Sequence, residues 1–336
     1  FRDIAFVQQS YVNILAKGTV SKLAWTEPAY VFSSANSFSC AIATARIAKL
    51  LLEKRLEVKE IPLCAEKFPE ERKLPFSMKR AAIFPFNKEM HALVRYSGLL
   101  DFVIADIYDH GLSGRVGAYA RKILDMEPGA DLQIKNIKDI DWTCFDTLIL
   151  GHLNELSELV QEPHMREFIV SEAEKHGKKV YLLDPIENKP GVYSPMISAR
   201  LLPQNHFGKL YQISKPVLGI FGTSSRQGKF SLQLELRSRM QDKGYRIGQL
   251  GTEPTALLFG MDEVFPYGYN AGIELKEEEA LLYLNRQMQS IATSDCEIIL
   301  VGAQSAILSC EPNHVGQYTP YQTAFLQGTH PDAVVL

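Results

Sequence analysis

The sequence predicts an α/β protein that contains two units, each built around a parallel sheet. From Lys79 onwards, short apolar segments alternate with amphipathic ones, which is typical of repeated strand–helix–strand units. In the second half, the apolar segment Val217–Phe221 leads into a glycine-bounded loop and then a helical pattern. The length of 336 residues is sufficient for two domains.

Before Lys79, the elements are less regular. A strand is predicted over Ala29–Ser33 and a helix over Ala41–Lys54, with a serine- and asparagine-containing loop between them and a proline-punctuated connection over Cys64–Pro75. Two alternatives exist for the loop at 33–39: it lines a ligand site, or it only caps the following helix.

The next region predicts strands that end in polar residues. The expected strands are Ala81–Phe84, Phe102–Asp106, Thr147–Leu150 and Val180–Leu183, and the expected helices are Glu89–Gly98 and Phe168–His176. Asp106, Gly151-His152 and Asp184 follow or end these strands, where ligands of parallel sheets bind. The glycine-rich loop at 111–117 is a weak dinucleotide-binding signal.

The loop after Val217–Phe221 has the pattern of a phosphate-binding P-loop. It is followed by a helical pattern from Phe230 to about Lys243. Backbone N–H groups, the helix N-terminus and a lysine together attract an anion in such a loop. The predicted cofactor-binding residues are Gly222, Thr223, Ser224, Ser225, Arg226, Gln227, Gly228, Lys229, Phe230 and Ser231.

This loop departs from the common P-loop pattern. Five residues separate Gly222 from Gly228, where the common pattern has four, and the longer spacing resembles dethiobiotin synthetase-like P-loop proteins. Phe230 takes the position of the hydroxyl residue that holds Mg²⁺, and Gln304 stands where an acid is usual. Both changes weaken a Mg²⁺ site but leave phosphate binding intact, so coenzyme A suits the loop as well as ATP does.

The remaining predicted elements are strands over Tyr245–Gln249, Glu297–Val301 and Ala333–Leu336, and helices over Glu277–Gln289 and Tyr321–Leu326. Glu253 and Asp262 are the carboxylates placed to reach a metal ion or to act as a general base. The alternatives are a turn-capping role for Glu253 and an ordinary loop position for Asp262.

Composition narrows the functional classes. The formal net charge of −3 argues against a protein dedicated to nucleic acid or to anionic membranes. The five cysteines are scattered and odd in number, which predicts reduced thiols and a cytoplasmic protein, and no apolar run approaches the length of a membrane span. The dispersed histidines predict no metal site, and His152, His314 and His330 are each expected in surface or capping roles. A small-molecule substrate is expected, and a homo-oligomer is left open.

Four runs of residues, taken together, resemble a known family. They are G-T-S-S-R-Q-G-K at 222–229, G-Q-L-G-T-E-P at 248–254, V-G-A-Q-S-A at 301–306 and F-L-Q-G-T-H-P-D-A-V-V-L at 325–336. Their order and spacing resemble a P-loop family, long described as a domain of unknown function, that includes D-glutamate N-acetyltransferases. The resemblance implies a Rossmann-like α/β domain over 79–210 and a P-loop NTPase-like α/β domain over 211–336, with residues 1–78 unassigned.

The resemblance also implies an enzyme of D-amino acid metabolism that transfers an acetyl group from acetyl-CoA to the amine of an acidic D-amino acid. In that interpretation the loop holds cofactor phosphate, with Arg226 pairing a phosphate or substrate carboxylate. Glu253 or Asp262 is the base, and Gln304-Ser305 orient the acyl or substrate group. An ATP-dependent ligase or kinase that uses Mg²⁺ and a nucleotide-binding regulatory module without turnover are the competing hypotheses.

Overall fold

The computed structural model describes the residues 21–24, 30–33, 74, 76–127, 131–186, 190–198, 210–223, 227–267, 273–304 and 321–336. Within this part of the chain, two separate parallel sheets with intervening helices confirm the predicted α/β class. A short antiparallel pair of strands, β1 (Ser21–Ala24) with β2 (Tyr30–Ser33), precedes them. The predicted helix at 41–54 lies outside the described residues.

The first sheet has six parallel strands in the order β5-β4-β3-β6-β7-β8. These strands are β3 (Arg80–Phe84), β4 (Val103–Asp109), β5 (Ile134–Asn136), β6 (Thr147–Leu150), β7 (Lys179–Leu182) and β8 (Val192–Tyr193). The strand order reverses between β3 and β6: β4 and β5 follow on one side of β3, and β7 and β8 follow on the far side of β6. A crevice at the carboxyl ends of the strands is expected between β3 and β6.

Four short helices accompany this sheet: α1 (His91–Arg95), α2 (Ala120–Ile123), α3 (Asn154–Leu159) and α4 (Met165–Lys175). The single helix predicted over Glu89–Gly98 is wrong in one respect, because 3₁₀ turns at Lys88–Met90 and Ser97–Leu99 flank α1. Ser97-Gly98 are poor α-helix formers, which accounts for the change of geometry at the C-terminal end.

The second sheet has five parallel strands in the order β12-β11-β14-β10-β15. Its strands are β10 (Val217–Ile220), β11 (Ile247–Gly251), β12 (Glu263–Val264), β14 (Ile298–Gly302) and β15 (Ala333–Val335). The helices of this unit are α5 (Lys229–Asp242), α6 (Glu277–Ala292) and α7 (Tyr321–Thr329). A small parallel pair, β9 (Ile197–Ser198) with β13 (Ile273–Glu274), joins segments from the two halves of the chain.

An apolar cluster connects the two sheets. Leu257 and Phe259, from the 3₁₀ turn after β11, belong to the same buried cluster as Ile83 and Phe86 of the first unit. The Tyr181 hydroxyl in β7 donates a hydrogen bond of 2.6 Å to the Pro254 carbonyl of the second unit. Shared burial and this buried hydrogen bond therefore hold the carboxyl ends of the two sheets close to one another.

No helix in the described ranges combines the length and apolar character that a membrane crossing requires.

Candidate functional site

A cleft of about 660 Å³ opens between the two sheets. The first unit contributes Lys88, Glu89, His91, Ala92, Arg95, Tyr96 and His152, and the second contributes Gln227–Ser231, Gln233, Thr252–Thr255 and Gly302–Gln304. Most of the lining segments follow the carboxyl ends of β6, β10, β11 and β14. Ligands of parallel α/β sheets bind in this kind of location.

The P-loop forms one wall of the cleft. Gly228 has a φ of 83°, a left-handed conformation that favours glycine, and α5 begins at the next residue, Lys229. The Lys229 side chain folds back along the loop towards Gly222: a Cβ atom built on Gly222 would lie 3.1 Å from Lys229 Nζ. The helix N-terminus and the lysine therefore present positive charge to the cleft. The loop residues Ser224, Ser225 and Arg226 lie outside the described residues.

Lys229 is half-buried, and this burial lowers the pKa of its ammonium group, with the nearby charge of Glu253 acting in the opposite direction. An anion beside Lys229 would replace the water that burial removes. In the same loop, the Gln227 side-chain amide donates to the Thr223 hydroxyl over 3.0 Å.

Phe230 both lines the cleft and packs in the apolar interior. Its ring meets Phe259 edge-on, with 5.5 Å between ring centroids, and it packs against the apolar cluster that connects the two units. This contact gives a physical reason for an aromatic residue at a position where P-loops that bind Mg²⁺ have a hydroxyl. The next residue, Ser231, is half-buried and lines the cleft.

Glu253 and Gln304 meet in the cleft, as the sequence motifs suggested. Burial raises the pKa of the Glu253 carboxyl; the Lys88 charge, a hydrogen bond from the Gln304 side chain and the Lys229 charge oppose the rise. The backbone of Gln304 is fixed by Tyr267, whose hydroxyl accepts from the Gln304 N–H over 2.7 Å and lies 3.0 Å from Gln322 Oε1. Ser305, which follows, is outside the described residues.

Asp262 occupies a different environment from the other predicted catalytic residues. Its Oδ2 accepts the backbone N–H of Gln249 over 2.8 Å, and its own N–H donates to the Gln249 carbonyl over 3.0 Å. These bonds join it to β11, and it is not among the residues that line the cleft. The structure therefore does not bring Asp262 together with Glu253 and Gln304.

A buried histidine–aspartate pair lies at the cleft, which His152 lines. His152 Nδ1 lies 2.7 Å from Asp184 Oδ1, and the Leu153 N–H donates to Asp184 Oδ2 over 3.0 Å. The two side chains are 6% and 1% exposed, so the surface role expected for His152 is wrong. An ionised carboxylate only accepts hydrogen bonds, so beside an ionised Asp184 it is Nδ1 of His152 that donates.

The sequence places both members at the ends of predicted strands, where ligands bind, but it does not show that they pair. His152 follows β6 and Asp184 follows β7, and these strands are neighbours in the sheet. They are 32 residues apart in sequence, and no local motif connects them.

Two other predicted candidates lie away from the cleft. The loop at 111–117 is not among its lining residues. Asp106 pairs with Lys135 over 2.6 Å and accepts from the Tyr108 hydroxyl over 3.1 Å, outside the cleft. Among the residues that the structure describes, no group of three or more His, Cys, Asp or Glu side chains is arranged to hold a metal ion.

Comparisons with known proteins agree with this architecture. Residues 206–336 match the family model described as Domain of unknown function (DUF1611_C) P-loop domain. The crystal structure of a DUF1611 family protein from Anabaena variabilis ATCC 29413 is similar, with a TM-score of 0.56 and 16% identity over 76% of this chain and 73% of that chain. At this identity the likeness shows the fold alone.

Aspartate semialdehyde dehydrogenase II from Vibrio cholerae, complexed with ASA, is 10% identical over 69% of this chain and 68% of that chain, with a TM-score of only 0.24. No curated protein sequence matches the chain. The match at 206–336 confirms the predicted P-loop family for the C-terminal part of this chain, and the structural neighbour agrees with its fold.

Proposed function

We propose that this protein is an N-acetyltransferase that transfers the acetyl group of acetyl-CoA to the amine of a small acidic amino acid, as the family resemblance implies. One observation carries the proposal: the P-loop and His152, whose ring is paired with the buried Asp184, line the same cleft. The loop suits the phosphates of a cofactor, and the pair suits the removal of a proton from an amine.

The residues present fit coenzyme A. Lys229 and the N-terminus of α5 offer charge and N–H donors to a phosphate without requiring a metal ion as intermediary. The cleft of about 660 Å³ lies within the size range of cofactor sites and extends from the P-loop to His152. When bound, acetyl-CoA supplies the activated thioester carbonyl.

The proposed reaction requires one base and donors for one oxyanion. The acceptor amine, as it attacks the thioester carbon, transfers a proton to Nε2 of His152, and a C–N bond forms while the C–S bond breaks. Asp184 stabilises the resulting imidazolium, which then returns its proton to the departing thiolate. The products are the N-acetylated amino acid and the free thiol of coenzyme A, so atoms and protons balance.

Glu253 and Gln304 are placed in this proposal beside the thioester oxygen. The raised pKa of Glu253 favours its protonated form, which donates a hydrogen bond as the Gln304 amide does. Donors fixed before the reaction stabilise an oxyanion most effectively, and Tyr267 fixes the backbone of Gln304.

The competing enzyme is an ATP-dependent ligase or kinase. The observation that favours it is the carboxyl of Glu253, which lies close enough to Lys229 for each to affect the pKa of the other. An acid in that position is able to hold Mg²⁺ beside a bound nucleotide.

A thermal-shift panel of coenzyme A, acetyl-CoA, ATP and GTP, with and without Mg²⁺, separates these functions. The proposal predicts stabilisation by the coenzyme A compounds without Mg²⁺, amounting to about 2.7 kcal/mol at 100 times Kd. It also predicts release of thiol from acetyl-CoA when glutamate is added. Binding of ATP only with Mg²⁺, and none of coenzyme A, would overturn the proposal. Binding without turnover of any amino acid would favour the regulatory module.

A further inference from the structure

The wall of the cleft contributed by the first unit carries basic residues at helical spacing. Lys88 lies in the 3₁₀ turn before α1, and Arg95 is the last residue of that helix. Together with Ala92 they line the cleft on one side of this segment, at spacings of four and three residues. We call Lys88 and Arg95 the basic wall.

The charge of Lys88 reaches groups of both units. It lowers the pKa of Glu253 and is also among the causes that lower the pKa values of Lys229 and His91. Two cations in one cleft create a positive potential that an anion would relieve. Lys88 makes no salt bridge with any other residue in the described part of the chain.

Arg95 is held in place by a hydrogen bond. Its Nη2 donates to the Leu124 carbonyl over 2.8 Å, which restricts the orientation of the guanidinium group while leaving a fork of further N–H donors. Between the two cations, burial and then the charges of Arg115 and Arg95 lower the pKa of His91, which favours a neutral imidazole.

Acidic residues also face this region and limit its charge. Glu89 and Glu253 are the carboxylates among the described lining residues, against Lys88, Arg95 and Lys229. With both acids ionised the lining keeps one net positive charge, and with Glu253 protonated it keeps two. The P-loop accounts for one bound phosphate, so the basic wall has capacity for a second anionic group.

We infer that Lys88 and Arg95 form a second oxyanion site, which binds a carboxylate or phosphate group of a ligand whose other end lies at the P-loop or at His152. This inference deepens the proposed function. The oxyanion is then either the side-chain carboxylate of the acidic acceptor or the 3′-phosphate of coenzyme A. Both are oxyanions that an ammonium and a guanidinium recognise alike.

Calorimetric binding distinguishes these sources without requiring turnover. Coenzyme A and dephospho-coenzyme A are titrated into wild-type protein and Lys88→Ala, and glutamate and glutamine are titrated into the complexes with coenzyme A. If the wall binds the acceptor, Lys88→Ala weakens glutamate binding at least about tenfold and glutamine binding much less. If it binds the 3′-phosphate, the variant loses the preference for coenzyme A over its dephosphorylated form.

Four further variants control the interpretation. Glu89→Gln removes a negative charge from the same turn and is expected to tighten the same anion, while Lys122→Ala removes an exposed charge outside the cleft and is expected to change nothing. Arg95→Lys keeps the charge and loses the fork, so a loss close to that of Arg95→Ala supports bidentate binding, and a much smaller loss shows that the charge alone is recognised. Equal binding of all probes by wild type and Lys88→Ala overturns the inference. Altered binding without acetyl transfer overturns the proposed function alone.

Discussion

Replacing Asp184 with asparagine tests the proposed base while preserving the shape of the side chain. In the wild type, Asp184 accepts from His152 Nδ1 and from the Leu153 N–H over 2.7 and 3.0 Å. An asparagine that still accepts from Leu153 N presents its NH₂ group to His152. The imidazole must then accept at Nδ1 and carry its proton on Nε2, where it no longer removes a proton from an amine.

The expected loss follows from these contacts. General-base catalysis contributes about 10²–10⁴-fold, so kcat/KM for acetyl transfer should fall by about that factor. Asp184 is 1% exposed, and a buried hydrogen bond left unmade costs about 1–3 kcal/mol of unfolding free energy. The variant should therefore remain folded near room temperature but lose stability measurably.

The assay follows release of the coenzyme A thiol, with calorimetry to confirm that coenzyme A still binds. Asp146→Asn is the matched control, because Asp146 accepts two backbone N–H bonds, from Lys79 and Arg80, over 3.0 and 2.9 Å outside the cleft. It should lose stability and keep kcat/KM. An Asp184→Asn enzyme within threefold of wild-type kcat/KM would refute the role assigned to the pair.

Further predictions concern the P-loop, the buried acid and the contact between units. Lys229→Ala should weaken coenzyme A binding by about 10–100-fold in calorimetry, since it removes a charge-assisted contact, whereas Lys243→Ala at the exposed end of the same helix should not. Because burial raises the pKa of Glu253, the unfolding free energy of the wild type should fall as pH rises from the ordinary carboxyl pKa through the raised one. Glu253→Gln carries no titrating group there and should not show this fall. Urea unfolding at several pH values should therefore show the difference in unfolding free energy between variant and wild type growing over this pH range and then staying constant. Tyr181→Phe leaves the Pro254 carbonyl without its buried donor and should cost about 1–3 kcal/mol in urea unfolding, whereas no effect would mean that the contact does not hold the units together.

The sequence predicted the elements near the P-loop well, because their signals are local. The strand expected over Val217–Phe221 is observed at Val217–Ile220, and the helix expected to begin at Phe230 begins at Lys229. Gly228, at the end of the loop between them, has a positive φ that glycine adopts easily, so a glycine at this position in the sequence is a direct sign of the loop.

The other half of the site could not be predicted in this way, because long-range packing creates it. The His152–Asp184 pair depends on the order of β6 and β7, and the basic wall depends on how the first unit packs against the second. Asp262 shows the opposite case. It was a candidate for a metal ligand or a general base, but its carboxylate accepts a hydrogen bond from the Gln249 backbone.

The most direct test of acyl transfer in the shared cleft is mass-spectrometric analysis of the products formed from acetyl-CoA and glutamate. Wild-type protein is predicted to produce N-acetylglutamate and free coenzyme A in equal amounts without added nucleotide or Mg²⁺, while Lys229→Ala and Asp184→Asn each reduce both products together. Absence of N-acetylated product across acidic, neutral and basic amino acids of both chiralities, from wild-type protein shown to bind coenzyme A, would contradict the account.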